Sequence, residues 1–253
     1  MTIIAFNHYW VIRWHWLLLN LFAVGILIGL SIWQWQRGEE KEKTLARVAE
    51  WQVKGSLNAD ALKAMNPAQL DGVHLQMPVR WLAPVVWLLD NRIYQGRIGY
   101  DVVIPVAVEH FHQPVIVNLG WVEAPVQRSD LPVVKVPGDF YVDGILRTRT
   151  GGLLLGQNLE SSNSWPQRIQ QVEFDQLYAS LPTDMHQEYK DLYPGVVYQQ
   201  QGTRFISYYR PVVMPPEKHR AYALQWALLA LAVTIIALVA SARRRETMPK
   251  PPD

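Results

Sequence analysis

The chain has 253 residues, 49% of them hydrophobic and 18% charged, with a formal net charge of +2. That balance excludes a disordered polar protein, and without a dense basic stripe it excludes a nucleic-acid binder. Cysteine is absent, so the chain offers no disulfide, zinc–thiolate or iron–sulfur site, thiol nucleophile or covalent c-type haem attachment.

The apolar residues come in blocks. From Trp14 to Trp33 the sequence contains no acid, lysine or arginine, and as a helix it would be about 30 Å long, the thickness of a bilayer core. Trp33, Gln34, Trp35 and Gln36 follow it, an interfacial aromatic anchor and not the small-residue signature of a cleaved signal peptide. A second uncharged block runs from Ala221 to Ala242, about 33 Å as a helix. Two transmembrane helices are predicted, over 14–36 and 219–242, in contact with the lipid bilayer.

Charge near the span ends sets the expected topology. Arg243, Arg244, Arg245 and Lys250 follow the second span and mark a cytoplasmic tail, 243–253. An even number of spans puts residues 1–13, with Arg13, on the same side. The section 37–218 is then external, because long segments translocate largely regardless of charge. Neither cytoplasmic piece is long enough for an output module, which excludes a sensor kinase. Two spans with sparse polar content also make a poor transporter.

In the external section, Arg37 to Lys43 (RGEEKEK) is predicted to continue the first helix, with Leu45, Val48 and Trp51 at helical spacing. Short helices are expected at Ala59 to Met65, ending before Pro67, and at Val172 to Ser180. Between them lie candidate strands at Val79 to Leu82, Val85 to Leu89, Tyr100 to Val108, Val115 to Trp121, Phe140 to Arg147 and Arg204 to Val213. Asp90-Asn91, Gly96, Gly99, Pro114 and Pro137-Gly138 punctuate them. The expected fold class is therefore an α+β membrane protein, with N- and C-terminal transmembrane helices flanking an antiparallel, β-rich, barrel-like external domain.

Catalytic signatures are missing: there is no GxSxG, HExxH, P-loop or GxGxxG. GGLLLG at Gly151 to Gly156 lacks the lysine and serine of a phosphate loop and reads as a turn. His110 and His112 with Glu109 could bind a metal, although Gln113-Pro114 beside them mark an exposed loop. The head of the second span is more informative. His219, Tyr222 and Trp226 stand at offsets 0, +3 and +7, on one helix face, with Trp226 about 10 Å deeper than His219. Such a face suits a planar apolar macrocycle, with His219 as an axial nitrogen for haem iron and Arg220 or Arg210 for propionates. From the residues alone an ordinary aromatic belt with a snorkelling arginine is the favoured reading of that face.

Four motifs in order resemble the Surfeit locus protein one family, the assembly factors of haem–copper cytochrome c oxidase. The exit of the first span (Leu30, Ser31, Trp33, Gln34, Arg37, Lys41) is similar to LGxWQxxRxxxK, with Ser31 in place of glycine. Asp90-Asn91-Arg92, Gly96-Arg97, Gly99-Tyr100 and Pro105 resemble the family's DNR…GxxGY…P segment. Asn118 to Val122 followed by Arg128 resembles NxGWV…R, and His219, Tyr222, Ala223, Gln225 and Trp226 resemble HxxYAxQW.

The resemblance implies a membrane-anchored, non-enzymatic factor that assists insertion of haem a into the catalytic subunit of the oxidase, or stabilises it there. Haem a is the expected cofactor, held transiently, with His219 as its axial iron ligand and Trp226, Tyr222 and Arg220 around it. Trp33, Gln34, Arg37, Lys41, Gly120, Trp121 and Arg128 are expected to make partner or structural contacts. The expected partners are the oxidase catalytic subunit and the enzymes of haem a synthesis. Cysteine's absence suits haem better than copper delivery. The expected location is the bacterial plasma membrane, both termini cytoplasmic, since no mitochondrial-type presequence precedes the first span. Two alternatives stand: a protein scaffold that never touches haem, and a membrane-bound metal enzyme using Glu109, His110 and His112.

Overall fold

The computed structural model describes residues 2–5, 8–11, 13–127, 129–148, 158–160 and 164–244, with only the backbone for 2–5, 8–11 and 243–244. It forms two compact units, residues 1–44 with 212–253, and residues 45–211.

The first unit is a helix pair. Helix α1 (Trp14–Lys54) begins in this unit and runs unbroken through the charged RGEEKEK stretch, as its helical spacing predicts. Helix α5 (Pro216–Ser241) is its partner; Pro216 stands in the first turn, where a missing N–H costs nothing. Both are long and apolar enough to cross a bilayer, and only 0% and 11% of their most apolar windows are buried. A core helix of a water-soluble domain would be mostly buried, so these two are the spans of a membrane protein. Strands β1 (Thr2–Ala5), β2 (His8–Val11) and β10 (Ala242–Arg244) form a small antiparallel sheet. Its pairing of Trp10 with Ala242 brings the start of α1 and the end of α5 together, as two antiparallel spans require.

The second unit is a β-domain. Its strands are β3 (His74–Trp81), β4 (Trp87–Tyr94), β5 (Arg97–Val108), β6 (Val115–Glu123), β7 (Asp139–Arg147), β8 (Gln167–Ile169) and β9 (Val196–Gln199). They pair in the order β3-β7-β9-β6-β5-β4-β8, and a further β3–β5 pairing closes five of them into a barrel. Closure works because β5 is long: its first half pairs with β4 and its last three residues with β3. Short helices α2 (Ala59–Ala64), α3 (Phe174–Ala179) and α4 (Met185–Glu188) complete the unit. Asn58 caps α2 through its side chain, which accepts from the Asp60 N–H.

Strand alternation divides the core in two. Tyr100, Val102, Ile104 and Val106 of β5 join Val115, Val117 and Leu119 of β6 in one cluster. Val103 and Ile116, on the opposite faces, join Trp87, Leu89, Ile169 and Leu177 in the other. Burial on both faces is why β5 and β6 read as nearly continuous apolar runs. Leu177 and Leu181, in and just after the helix expected at Val172 to Ser180, lie in the second cluster with Phe174 and Tyr178 packed against it, so the apolar face of that helix is core.

The structure departs from expectation in three places. Two pairings are parallel, β6–β9 and β4–β8, so the sheet is mixed; both involve short strands that β-propensity alone does not flag. The strand expected over Arg204 to Val213 shrinks to one bridge between Ile206 and Trp121, because its Tyr208 and Tyr209 hydroxyls turn to buried charged groups. Asp90-Asn91 is a bulge inside β4, where Asn91 takes φ 57°, and the hairpin turn falls at Gln95-Gly96, both with positive φ. Gly151 to Gly156 and Arg128 lie outside the described residues.

Candidate functional site

Shielded positions on the two spans recur every three or four residues, on α1 at Leu27, Ser31, Gln34, Gly38 and Lys41. On α5 they are Pro216, His219, Ala223, Trp226 and Ala230. These rows form a seam, with the wholly buried positions small or ring-closed: Gly38, Pro216, Ala223 and Ala230. A side-chain carbon on Gly38 would lie 3.4 Å from the Pro216 carbonyl oxygen and 3.5 Å from His219 Cβ, ordinary van der Waals contacts, so α5 packs directly on this position without requiring glycine there.

Polar ties cross the seam. Ser31 Oγ donates to the Ala223 carbonyl at 2.8 Å, so the residue that departs from the family's glycine bonds one span to the other. Above it, His219 Nδ1 stands 2.8 Å from Gln34 Oε1. Arg220 pairs with Glu42 and lies over the Trp35 ring, 5.9 Å from its centroid. His219 Nε2 is buried and has no hydrogen-bond partner. Eight buried side-chain polar atoms among the described residues are without such a partner; the other seven lie in the β-domain, and His219 Nε2 is the one on the seam between the spans.

The predicted residues separate accordingly. His219, Trp226, Gln34 and Lys41 lie along the seam, whereas Tyr222 at its edge is 44% exposed. Trp33 and Arg37 face outward, Arg37 over the Trp33 ring at 5.8 Å and paired with Glu40 at 2.8 Å. The offsets 0, +3 and +7 therefore describe one side of α5 but two surroundings. The hydroxyl tie of Ser31 has no sequence signal beyond the departure from glycine.

The middle motifs meet in the β-domain. Trp121 is buried and donates from Nε1 to the Arg92 carbonyl at 3.1 Å. Gly99 is glycine because any side chain would strike the Trp121 indole and the Val122 carbonyl. Gly120, at φ +118°, lies against the Ile206 carbonyl. Asn118 joins these elements, accepting from the Gly120 N–H at 2.9 Å and donating to Asp101 Oδ2 at 3.1 Å. Burial raises the Asp101 carboxyl above its ordinary range, and its contacts with Asn118, Arg92 and Tyr208 only partly offset it. The structure places Gly120 and Trp121 in the packing of the domain.

Glu109 and His110 are 80% and 81% exposed, His110 in a positive-φ turn, and His112 is exposed as well. No group of three or more candidate metal ligands occurs among the described residues, so the metal-enzyme alternative has no ligand set there. An open cavity of about 220 Å³, bordered by Gln52, Ser56, His74 and Gln200, includes none of the predicted site residues.

Residues 21–231 match the SURF1 family. The chain belongs to that family. No curated protein matches it. Membership gives the chain a role in cytochrome oxidase assembly, in a family of assembly factors that is not a known enzyme family.

Proposed function

We propose that this SURF1-family protein carries haem a to the catalytic subunit of cytochrome c oxidase or steadies it there, with His219 as the residue that would hold its iron. The observation that carries the reading is His219 itself, with Nδ1 matched to Gln34 Oε1 and Nε2 buried without a partner. Ligating histidines commonly have their second nitrogen tied to an oxygen acceptor, so this donor set fits an iron porphyrin. Trp226, two turns deeper, supplies an aromatic wall. Nε2 is enclosed, so the groups around it would have to part for haem to be held there. When bound, the haem would supply its iron; the chain would contribute the His219 imidazole and shelter from water.

In this reading the two spans lie in a bacterial plasma membrane, both termini are cytoplasmic, and the domain between them is external. The enzymes of haem a synthesis supply the cargo and the oxidase subunit receives it. Arg220 bears on the second reading, a scaffold that never touches haem. Its contacts with Glu42 and Trp35 mean that a propionate must compete for it.

The test is an optical spectrum of the detergent-purified protein, co-expressed with the haem a synthesis enzymes, beside His219→Ala. A haem a spectrum in the wild type that the variant loses or shifts supports the haem role. A colourless wild type, with haem a present in the same membranes, leaves the scaffold.

A further inference from the structure

We propose that Gln34 is the positioning residue of this site, holding His219 in the tautomer that leaves Nε2 as a bare lone pair for iron; this rests on the haem reading above. The amide carbonyl oxygen can only accept, so at 2.8 Å the proton between the two groups belongs to Nδ1. Turning the amide over would place the imidazole proton on Nε2, which has no acceptor. A buried N–H without an acceptor is rarer than a buried acceptor without a donor, which favours the first arrangement. A neutral imidazole with its proton on Nδ1 carries its lone pair on Nε2, the atom a metal needs.

Gln34 is itself held in place. Ser31 bonds to the Ala223 carbonyl one turn below it, and Glu42 pairs with Arg220 two turns above. Gly38, one turn above, packs against Pro216, His219 and Arg220 of α5. The first span thus sets the rotation and protonation of a side chain on the second. A glutamate at position 34 would keep an acceptor and add negative charge, making the imidazole a stronger donor to iron; a leucine would remove the acceptor.

Nitrogen-15 NMR of His219 in the haem-free, detergent-solubilised full chain reads the tautomer directly. The expected wild-type result is protonated Nδ1 and unprotonated Nε2, retained in Gln34→Glu and lost in Gln34→Leu. In preparations loaded with haem a, Gln34→Glu should lower the haem midpoint potential and Gln34→Leu should reduce haem retention several-fold. A wild type protonated on Nε2, or a tautomer indifferent to Gln34→Leu, overturns the assignment of Gln34 even if His219→Ala abolishes the haem spectrum. The expected tautomer together with a haem spectrum that His219→Ala leaves unchanged overturns it differently: the haem reading fails, and the hydrogen bond is only a seam contact.

Discussion

The β-domain buries its largest side chains and the helix pair buries its smallest. Trp87, Tyr100 and Tyr193 are at most 2% exposed inside the domain, whereas Gly38, Ala223 and Ala230 fill the seam between the spans. On the spans Phe22, Leu231 and Ile236 point outward, at 68%, 55% and 66% exposure. In water, removing apolar surface drives packing; in lipid no such gain exists between helices, and close backbone approach with a few hydrogen bonds takes its place. The polar groups differ too. In the domain Asp71, Arg147, Tyr209 and the half-exposed Arg47 share one hub of ion pairs and hydrogen bonds, and the seam relies on single ties.

The sharpest test of that contrast is the hub. Arg147 Nε donates to Asp71 Oδ1 at 2.9 Å, and Arg147 Nη1 donates to the Tyr209 hydroxyl at 2.7 Å. Asp71→Ala leaves a buried guanidinium uncompensated and should destabilise the domain by about 3–5 kcal/mol in denaturant unfolding of the full chain. An unchanged midpoint would mean that the hub is ornamental and the apolar clusters suffice.

The same residue predicts a pH dependence. Burial pushes the Asp71 carboxyl up, but Arg147, the Thr148 N–H and Arg47 more than reverse this and hold it below its ordinary 3.8. A depressed folded-state value means stability that is present above the unfolded value and lost as pH falls through the folded one. Acid should therefore weaken the domain below about pH 4, and Asp71→Asn should flatten that limb of the curve. Asp101, raised by burial, works with the opposite sign and gains as it protonates.

Gly120→Ala should cost about 1–3 kcal/mol, because an added carbon at φ +118° would stand 2.7 Å from the Ile206 carbonyl. Unchanged stability there would show that β6 can relax away from Ile206. The smallest effect is expected in the seam. Ser31→Ala loses one interhelix hydrogen bond, and thermal unfolding in detergent should register about 0.5–1 kcal/mol. A loss as large as that of Asp71→Ala would break the contrast between the two regions.

Legibility in the sequence followed the range of the interactions. The spans, the helical RGEEKEK stretch and five of the strands announce themselves through periodicity or unbroken apolar runs, which are local. Strands β8 and β9 do not, being three and four residues long and joined to distant neighbours in parallel. Tyr208 and Tyr209 look like strand residues and are instead partners for Asp101 and Arg147, which no local pattern reveals. His219 and Trp226 were visible as candidates by their spacing; the pairing of His219 with Gln34, 185 positions away, was not.

By itself, then, the sequence determined the solvent of each region and the family, because hydropathy and short motifs are properties of neighbouring residues. Only the tertiary structure decided which groups meet: the closure of β3 on β5, the Asp71–Arg147 hub, and an imidazole with one nitrogen occupied and the other open. Those depend on chain segments far apart in sequence, and their contacts exist only once packing has brought the backbones together.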